Sequence, residues 1–245
     1  MGTSPIFIIL RKSRRRMDRY NKITNKNNRE IVLLRAFPCV WGKCSFCDYI
    51  DDNGRNEEEL NKLNKEVLDN ITGEFGVLEV INSGSCFEIP KETLGYIKKI
   101  IDEKGIKLLF LESHWCYRNK LDEMRKFFNI PIIFKIGIET FDYDFRNKFL
   151  NKNAKFKDPR EVQEKFQSVC IMVGIKGQTK EMIKRDMDIV QQYFKYATIN
   201  VFVENTTDIK RDEELVKWFR KEYRYLDKHP TIEVLYNNTD FGVGD

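Results

Sequence analysis

Histidine is nearly absent from this chain: two occur in 245 residues, His114 and His229. Cysteine numbers six, and the group at Cys39, Cys44 and Cys47 has no second CxxC-type hook to accompany it. A structural zinc site takes four ligands, commonly from two such hooks, so zinc here would need His114 as its fourth. A redox CxxC pair would leave Cys39 unexplained. Long apolar runs are missing too: nothing approaches the roughly 20 residues that cross a bilayer. The opening MGTSPIFIILRKSRRR puts its charges after a short apolar run, the reverse of a secretory signal. A soluble, cytoplasmic protein with no membrane partner is expected. Without an export signal a disulfide framework is not expected either, and the isolated Cys86, Cys116 and Cys170 read as small buried hydrophobes. There is no repeat period, low-complexity block or linker, which argues for one domain.

Hydrophobic residues make up 41% and charged residues 33%, enough for a real core and unlike a disordered chain. The net charge is +5, and basic residues crowd the start, from Arg11 through Arg14, Arg15, Arg16 and Arg19 to Arg29. They form either a solvated arm or a surface attractive to phosphate or RNA. We read 1–29 as a basic arm packed on or near the core, ahead of a single domain at 30–245.

Within that domain, strands and helices alternate. EIVLLRAF (30–37), GVLEVINS (76–83), IKLLFLES (106–113), PIIFKIGIE (131–139), SVCIMVGI (168–175) and ATINVFVE (197–204) read as buried strands, with a last piece at 231–236. Helices are expected at 56–71, from Pro90, near 118–128, at 142–149 and 159–167, after Thr179, and near 210–226. Asn56 with Glu59, and Thr179, carry N-cap signals. Parallel βα units follow, closed as a doubly wound sheet or as a full or partial barrel. Either closure gathers function at the strands' C-terminal ends. Polar residues stand there: Ser83-Gly84-Ser85, Glu112-Ser113-His114, Glu139-Thr140, Gly174 and Glu204-Asn205. The cysteine loop follows the first of these strands.

Three cysteines suit a [4Fe–4S] cluster whose fourth iron lacks a protein ligand and so stays open to a cofactor or substrate. Cys44-Ser45-Phe46-Cys47 resembles the CxΦC half of the radical S-adenosylmethionine (SAM) motif; the first gap has four residues rather than three. The likeness spans about 30–205. It implies an α/β partial (β/α)6 TIM-like barrel with parallel strands, a [4Fe–4S] cluster on Cys39, Cys44 and Cys47, and SAM on the open iron. It further implies SAM contacts from Phe46, from Ser83, Gly84 and Ser85, and from Glu112. Glu139, Lys152 and Gly174 complete the implied SAM set, and no catalytic residue is expected beyond the cluster and SAM. An external electron donor such as flavodoxin or ferredoxin is implied as a partner.

Within the superfamily, the compact length, GIETFDYDFRNKFLNK and the tail LYNNTDFGVGD are similar to enzymes of 7-deazaguanine metabolism. The resemblance implies a lyase that releases queuine from queuosine 5′-phosphate after hydrogen abstraction from the ribose. An archaeosine-type C–N lyase on tRNA is the alternative. A guanine-like edge pairs with a carboxylate, for which Asp240, Glu204 or Glu112 are candidates. Asn237, Asn238 and Asn205 could read a carbonyl or ribose, His114 a diol or phosphate, and Arg14–Arg16 or Arg35 a 5′-phosphate. Two other classes stay open on sequence: a zinc-stabilised RNA-binding protein and a non-catalytic iron–sulfur partner subunit.

Overall fold

The computed structural model describes residues 19–237. Eight strands form one sheet in sequence order: β1 (Tyr20–Ile23), β2 (Arg29–Leu34), β3 (Val77–Asn82), β4 (Leu108–Glu112), β5 (Ile132–Glu139), β6 (Ser168–Val173), β7 (Tyr196–Val201) and β8 (Ile232–Leu235). Neighbours from β2 to β8 are parallel. Each of β2 to β7 is followed by one helix: α1 (Glu57–Leu68), α2 (Lys91–Lys104), α3 (Leu121–Phe128), α4 (Pro159–Gln163), α5 (Lys180–Tyr193) and α6 (Glu213–Glu222). The expected six βα units are present, curled into a partial TIM-like barrel.

Three findings depart from the sequence reading. Cys116, unlike Cys86 and Cys170, is exposed rather than buried. The described end of the basic arm is a strand: β1 pairs antiparallel with β2, Tyr20 opposite Val32. The segment near 142–149 is a π-helical turn, Phe145–Phe149, the kind of bulge that recurs at functional sites.

The helix caps formed as their residues dictate. Asn56 accepts a hydrogen bond from the Glu59 amide and Thr179 from the Met182 amide, each satisfying an orphan helix donor. Side-chain alternation of period two divides the sheet's faces. Val32, Leu34, Leu78, Val80, Leu109, Leu111, Phe134 and Ile136 point outward into one buried apolar core under the helices. Each such side chain contributes about 1.5–3 kcal/mol by leaving water. The intervening residues point inward, and many are polar: Arg29, Glu79, Glu112, Lys135, Thr198 and Glu233 line the barrel cavity.

The sheet's edges, β1 and β8, are not hydrogen-bonded to each other. Side chains tie the gap instead. Arg29 reaches from β2 to Glu233 on β8 with Nη1 and Nη2 at 2.7 and 2.9 Å. Lys26 Nζ donates to the carbonyls of Leu226 and Ile232, both at 2.9 Å.

Candidate active site

The cysteine loop leaves β2 and crosses the C-terminal mouth of the barrel. Cys39, Cys44 and Cys47 are free thiols lining one cavity. The loop is held from several sides. The Ser45 amide donates to the Leu150 carbonyl at 3.0 Å, Trp41 Nε1 to the Asn151 carbonyl at 2.6 Å, and Asn205 Nδ2 to the Phe46 carbonyl at 2.7 Å. Gly42, within the four-residue first gap, lies in the left-handed region at φ +55°, where glycine pays no steric penalty. Phe46 is buried with Phe145, Leu150, Met172, Ile175 and Phe202, forming an apolar wall beside Cys44 and Cys47. Burial pushes the Cys44 thiol up to about 11, against the pull of Lys152, and raises Cys47 the same way.

Among the described residues, no three His, Cys, Asp or Glu side chains converge on a single ion. A cubane instead takes each thiolate on a separate iron, which suits three thiols spread along one loop. The opposite wall leaves room. A Cβ on Gly84 would lie 2.7 Å from Glu88 Oε2 and in ordinary contact, 3.4 Å, with Cys39 Cα, so glycine leaves space for the Glu88 carboxylate, which accepts from the Val40 amide of the cysteine loop at 3.0 Å. The donor set and this cradle fit a [4Fe–4S] cluster.

Glu139 and Lys152 form a buried ion pair beside the thiols, Nζ to Oε1 at 2.7 Å. Burial would lower the Lys152 ammonium, but Glu139, with the nearby thiols, holds it up. Glu139 has φ +68° at a bulge in β5. Such strain in a non-glycine residue points to a functional constraint. His114 donates from Nε2 to the Lys152 carbonyl at 2.8 Å and accepts at Nδ1 from the Cys116 amide at 3.2 Å. Burial and the Lys152 charge bring its imidazole down to about 4. It is therefore neutral and internally satisfied, which suits it to holding the Lys152 loop rather than a phosphate.

Below this layer lies a charged floor that the sequence reading missed. Glu79 on β3 accepts from both Arg29 and Lys135. Burial would raise Glu79, but those two cations outweigh it and bring it down to about 2. Glu112 is in register with Lys135. The Glu139–Lys152 pair lies beside Gly137, two residues along β5 from Lys135, so the two charged layers are about 7 Å apart along the strand. Burial holds the Glu112 carboxyl up at about 7, with Lys135 opposing and Glu79 reinforcing. The signal was present: one charge in phase within each apolar run, Glu79 in VLEVIN and Lys135 in IIFKIGIE.

Of the residues expected here, Cys39, Cys44, Cys47, Phe46, Ser83, Gly84, Glu112, His114, Glu139 and Lys152 line the cavity. Others do not. Ser85 is fully buried and accepts from the His114 amide at 2.8 Å. Gly174, at φ +87°, abuts Val216, which a Cβ there would meet at 2.3 Å. Arg35, Glu204 and Asn205, expected as substrate contacts, do not line the cavity. Arg35 braces the carbonyls of Asp52 and Asn53. Glu204 is exposed and accepts from the Arg211 amide. Asn205 pins the cysteine loop. Position at a strand's C-terminal end fixed the face of the sheet but not the direction of the side chain. Asn237 is exposed and away from the cavity, while Asn238, Asp240 and Arg14–Arg16 lie outside the described residues.

No protein-family model matches the chain. A queuine lyase from Clostridium spiroforme, solved with SAM and queuine bound, is 55% identical with a TM-score of 0.91, covering 94% of this chain and 100% of that one. A radical SAM methyltransferase from Sphaerobacter thermophilus is 12% identical with a TM-score of 0.58 over 86% of this chain and 67% of that one, a likeness of fold. An uncharacterized protein of Methanocaldococcus jannaschii is 30% identical over 140 aligned residues, covering 49% of this chain. The chain spans only 38% of that relative's length.

Proposed function

The chain belongs to the queuine lyase family of radical SAM enzymes, and from that premise we propose that it releases queuine from queuosine 5′-phosphate. The observation that carries the reading is the continuous likeness to the queuine lyase together with three free thiols on one barrel cavity. When bound, the [4Fe–4S] cluster and SAM would supply radical chemistry for hydrogen abstraction from the substrate ribose.

The chain's own residues hold and shield. Cys39, Cys44 and Cys47 would ligate the cluster as thiolates; for Cys44 and Cys47 that means losing protons that burial otherwise favours. Phe46 and the apolar wall behind it exclude water from the reacting region. Ser83 and Gly84 at the end of β3, and the Glu139–Lys152 pair, are proposed to orient SAM. Ser85, behind them, fixes His114 and with it the carbonyl of Lys152. Gly174 supports the site through the turn that packs on α6. The substrate is read as a small modified nucleotide, and an external one-electron donor is required. A cytoplasmic location accords with a phosphorylated substrate, and no helix among the described residues is long and apolar enough to cross a membrane. We assign the reaction to the single domain at 30–245, with the arm at 1–29 joined to it through β1.

The test is direct. Anaerobically reconstituted protein is incubated with SAM, a reductant and queuosine 5′-phosphate. Queuine and 5′-deoxyadenosine are expected together, and neither from Cys44→Ala. Formation of 5′-deoxyadenosine without queuine would reject the substrate; queuine only from queuosine-containing tRNA would move the reading to a tRNA lyase.

A further inference from the structure

Seven charged side chains of the described residues line the cavity: the cations Arg29, Lys135 and Lys152, and the carboxylates Glu79, Glu112, Glu139 and Glu233. Each cation is taken. Arg29 holds Glu79 and Glu233, Lys135 holds Glu79, and Lys152 holds Glu139. Three cations against four carboxylates leave one carboxylate in excess. Glu112 is that group: each cation is paired with another carboxylate, and Lys135, the one in register with Glu112, is committed to Glu79. A half-buried carboxylate in this position is costly unless it gains a counter-charge or a proton.

The cofactors do not provide that counter-charge. Three thiolates leave an oxidised [4Fe–4S] cluster with one net negative charge, and SAM brings at most one net positive charge, so the two together add no net positive charge. Without a ligand Glu112 keeps its proton up to about pH 7; once ionised, it takes its counter-charge from the ligand. On the reading proposed above, the base carries a secondary amine on its 7-methylene arm, which is protonated at neutral pH. We infer that Glu112, on the cavity floor beside Lys135, pairs with the ammonium of this arm and so selects cationic 7-deazaguanines over neutral ones. Glu112 is then a specificity residue of the substrate subsite rather than a contact of the SAM methionyl group.

Two small bases separate the possibilities: 7-aminomethyl-7-deazaguanine, which is cationic, and 7-cyano-7-deazaguanine, which is neutral. Binding of each to the cluster-loaded, SAM-bound protein is measured by anaerobic calorimetry at pH 7. The wild-type chain should bind the cationic base at least about tenfold more tightly, the scale of a close charge pair. Glu112→Gln should bring the two affinities within about twofold, with SAM affinity unchanged, and Glu112→Asp should restore part of the preference. Unchanged SAM affinity also certifies that the variant is folded. Four results would overturn the inference: no preference in the wild type; a preference that survives Glu112→Gln but is lost in Glu233→Gln; equal weakening of both bases, which would assign Glu112 to the guanine edge; or loss of SAM affinity with the preference intact. If neither base binds while SAM still does, the queuine reading itself falls, and this inference with it.

Discussion

Gly137 shows how finely one residue can set this site. A Cβ there would lie 2.8 Å from Glu139 Oε1 and 3.2 Å from Lys152 Nζ. Both atoms are the far ends of side chains, so Gly137→Ala should fold and displace the ion pair rather than the backbone. If that pair orients SAM, a charged hydrogen bond of about 1.5–3 kcal/mol is at stake. SAM affinity is then expected to fall about tenfold or more, with the thermal midpoint moving by only a few degrees. Calorimetry and a melting curve check both parts. An unchanged SAM affinity would separate the Glu139–Lys152 pair from the cofactor.

At the scale of elements, two ties carry testable weight. Asn205, at the end of β7, holds the cysteine loop through Phe46 and Asp48. Asn205→Ala should leave the barrel folded but loosen the loop, so iron retained per chain after reconstitution and desalting should drop while the circular dichroism spectrum stays the same. Full iron retention would show that the Trp41 and Ser45 anchors suffice. Arg29 bridges β2 to β8 and also neutralises Glu79. Arg29→Met strips buried carboxylates of their partner and should cost about 3–5 kcal/mol in urea unfolding; a loss below about 1 kcal/mol would mean that the barrel gap does not depend on it. These elements also mark the limit of what the sequence made legible. Long apolar runs such as IIFKIGIE announced β2 to β7 because burial on the outer face needs them. YNKI did not announce β1, because four mostly polar residues on an edge carry no period. The thiols and the Glu139–Lys152 pair followed from a local motif. The floor did not, because Arg29, Glu79, Lys135 and Glu233 meet only when distant strands curl together.

For the molecule as a whole, the buried groups fix how stability changes with pH. Glu112 and Asp186 are both held up at about 7, chiefly by burial, whereas unfolded carboxyls titrate near 4. Between about pH 5 and 7 the folded chain keeps two protons that the unfolded chain has lost, so each group makes stability fall as pH rises, by on the order of 3 kcal/mol in all. His114 acts in the opposite sense: it is held at about 4 when folded, while a free imidazole protonates near 6.5. Its contribution therefore rises with pH up to about 6.5 and offsets one of the two carboxyls there. Glu79, held at about 2, adds stability that is full above about 4.5 and is lost as pH falls toward 2. The net slope between about pH 5 and 7 is negative. The cluster-free chain should therefore unfold at a higher urea concentration at pH 5.5 than at pH 7.5. Glu112→Gln should raise the pH 7.5 value toward the pH 5.5 one, because an amide cannot ionise against the low dielectric of the floor. A wild-type midpoint that climbs with pH across this range would mean that both carboxyls stay ionised in the fold, and that a counter-charge reaches Glu112 without any ligand.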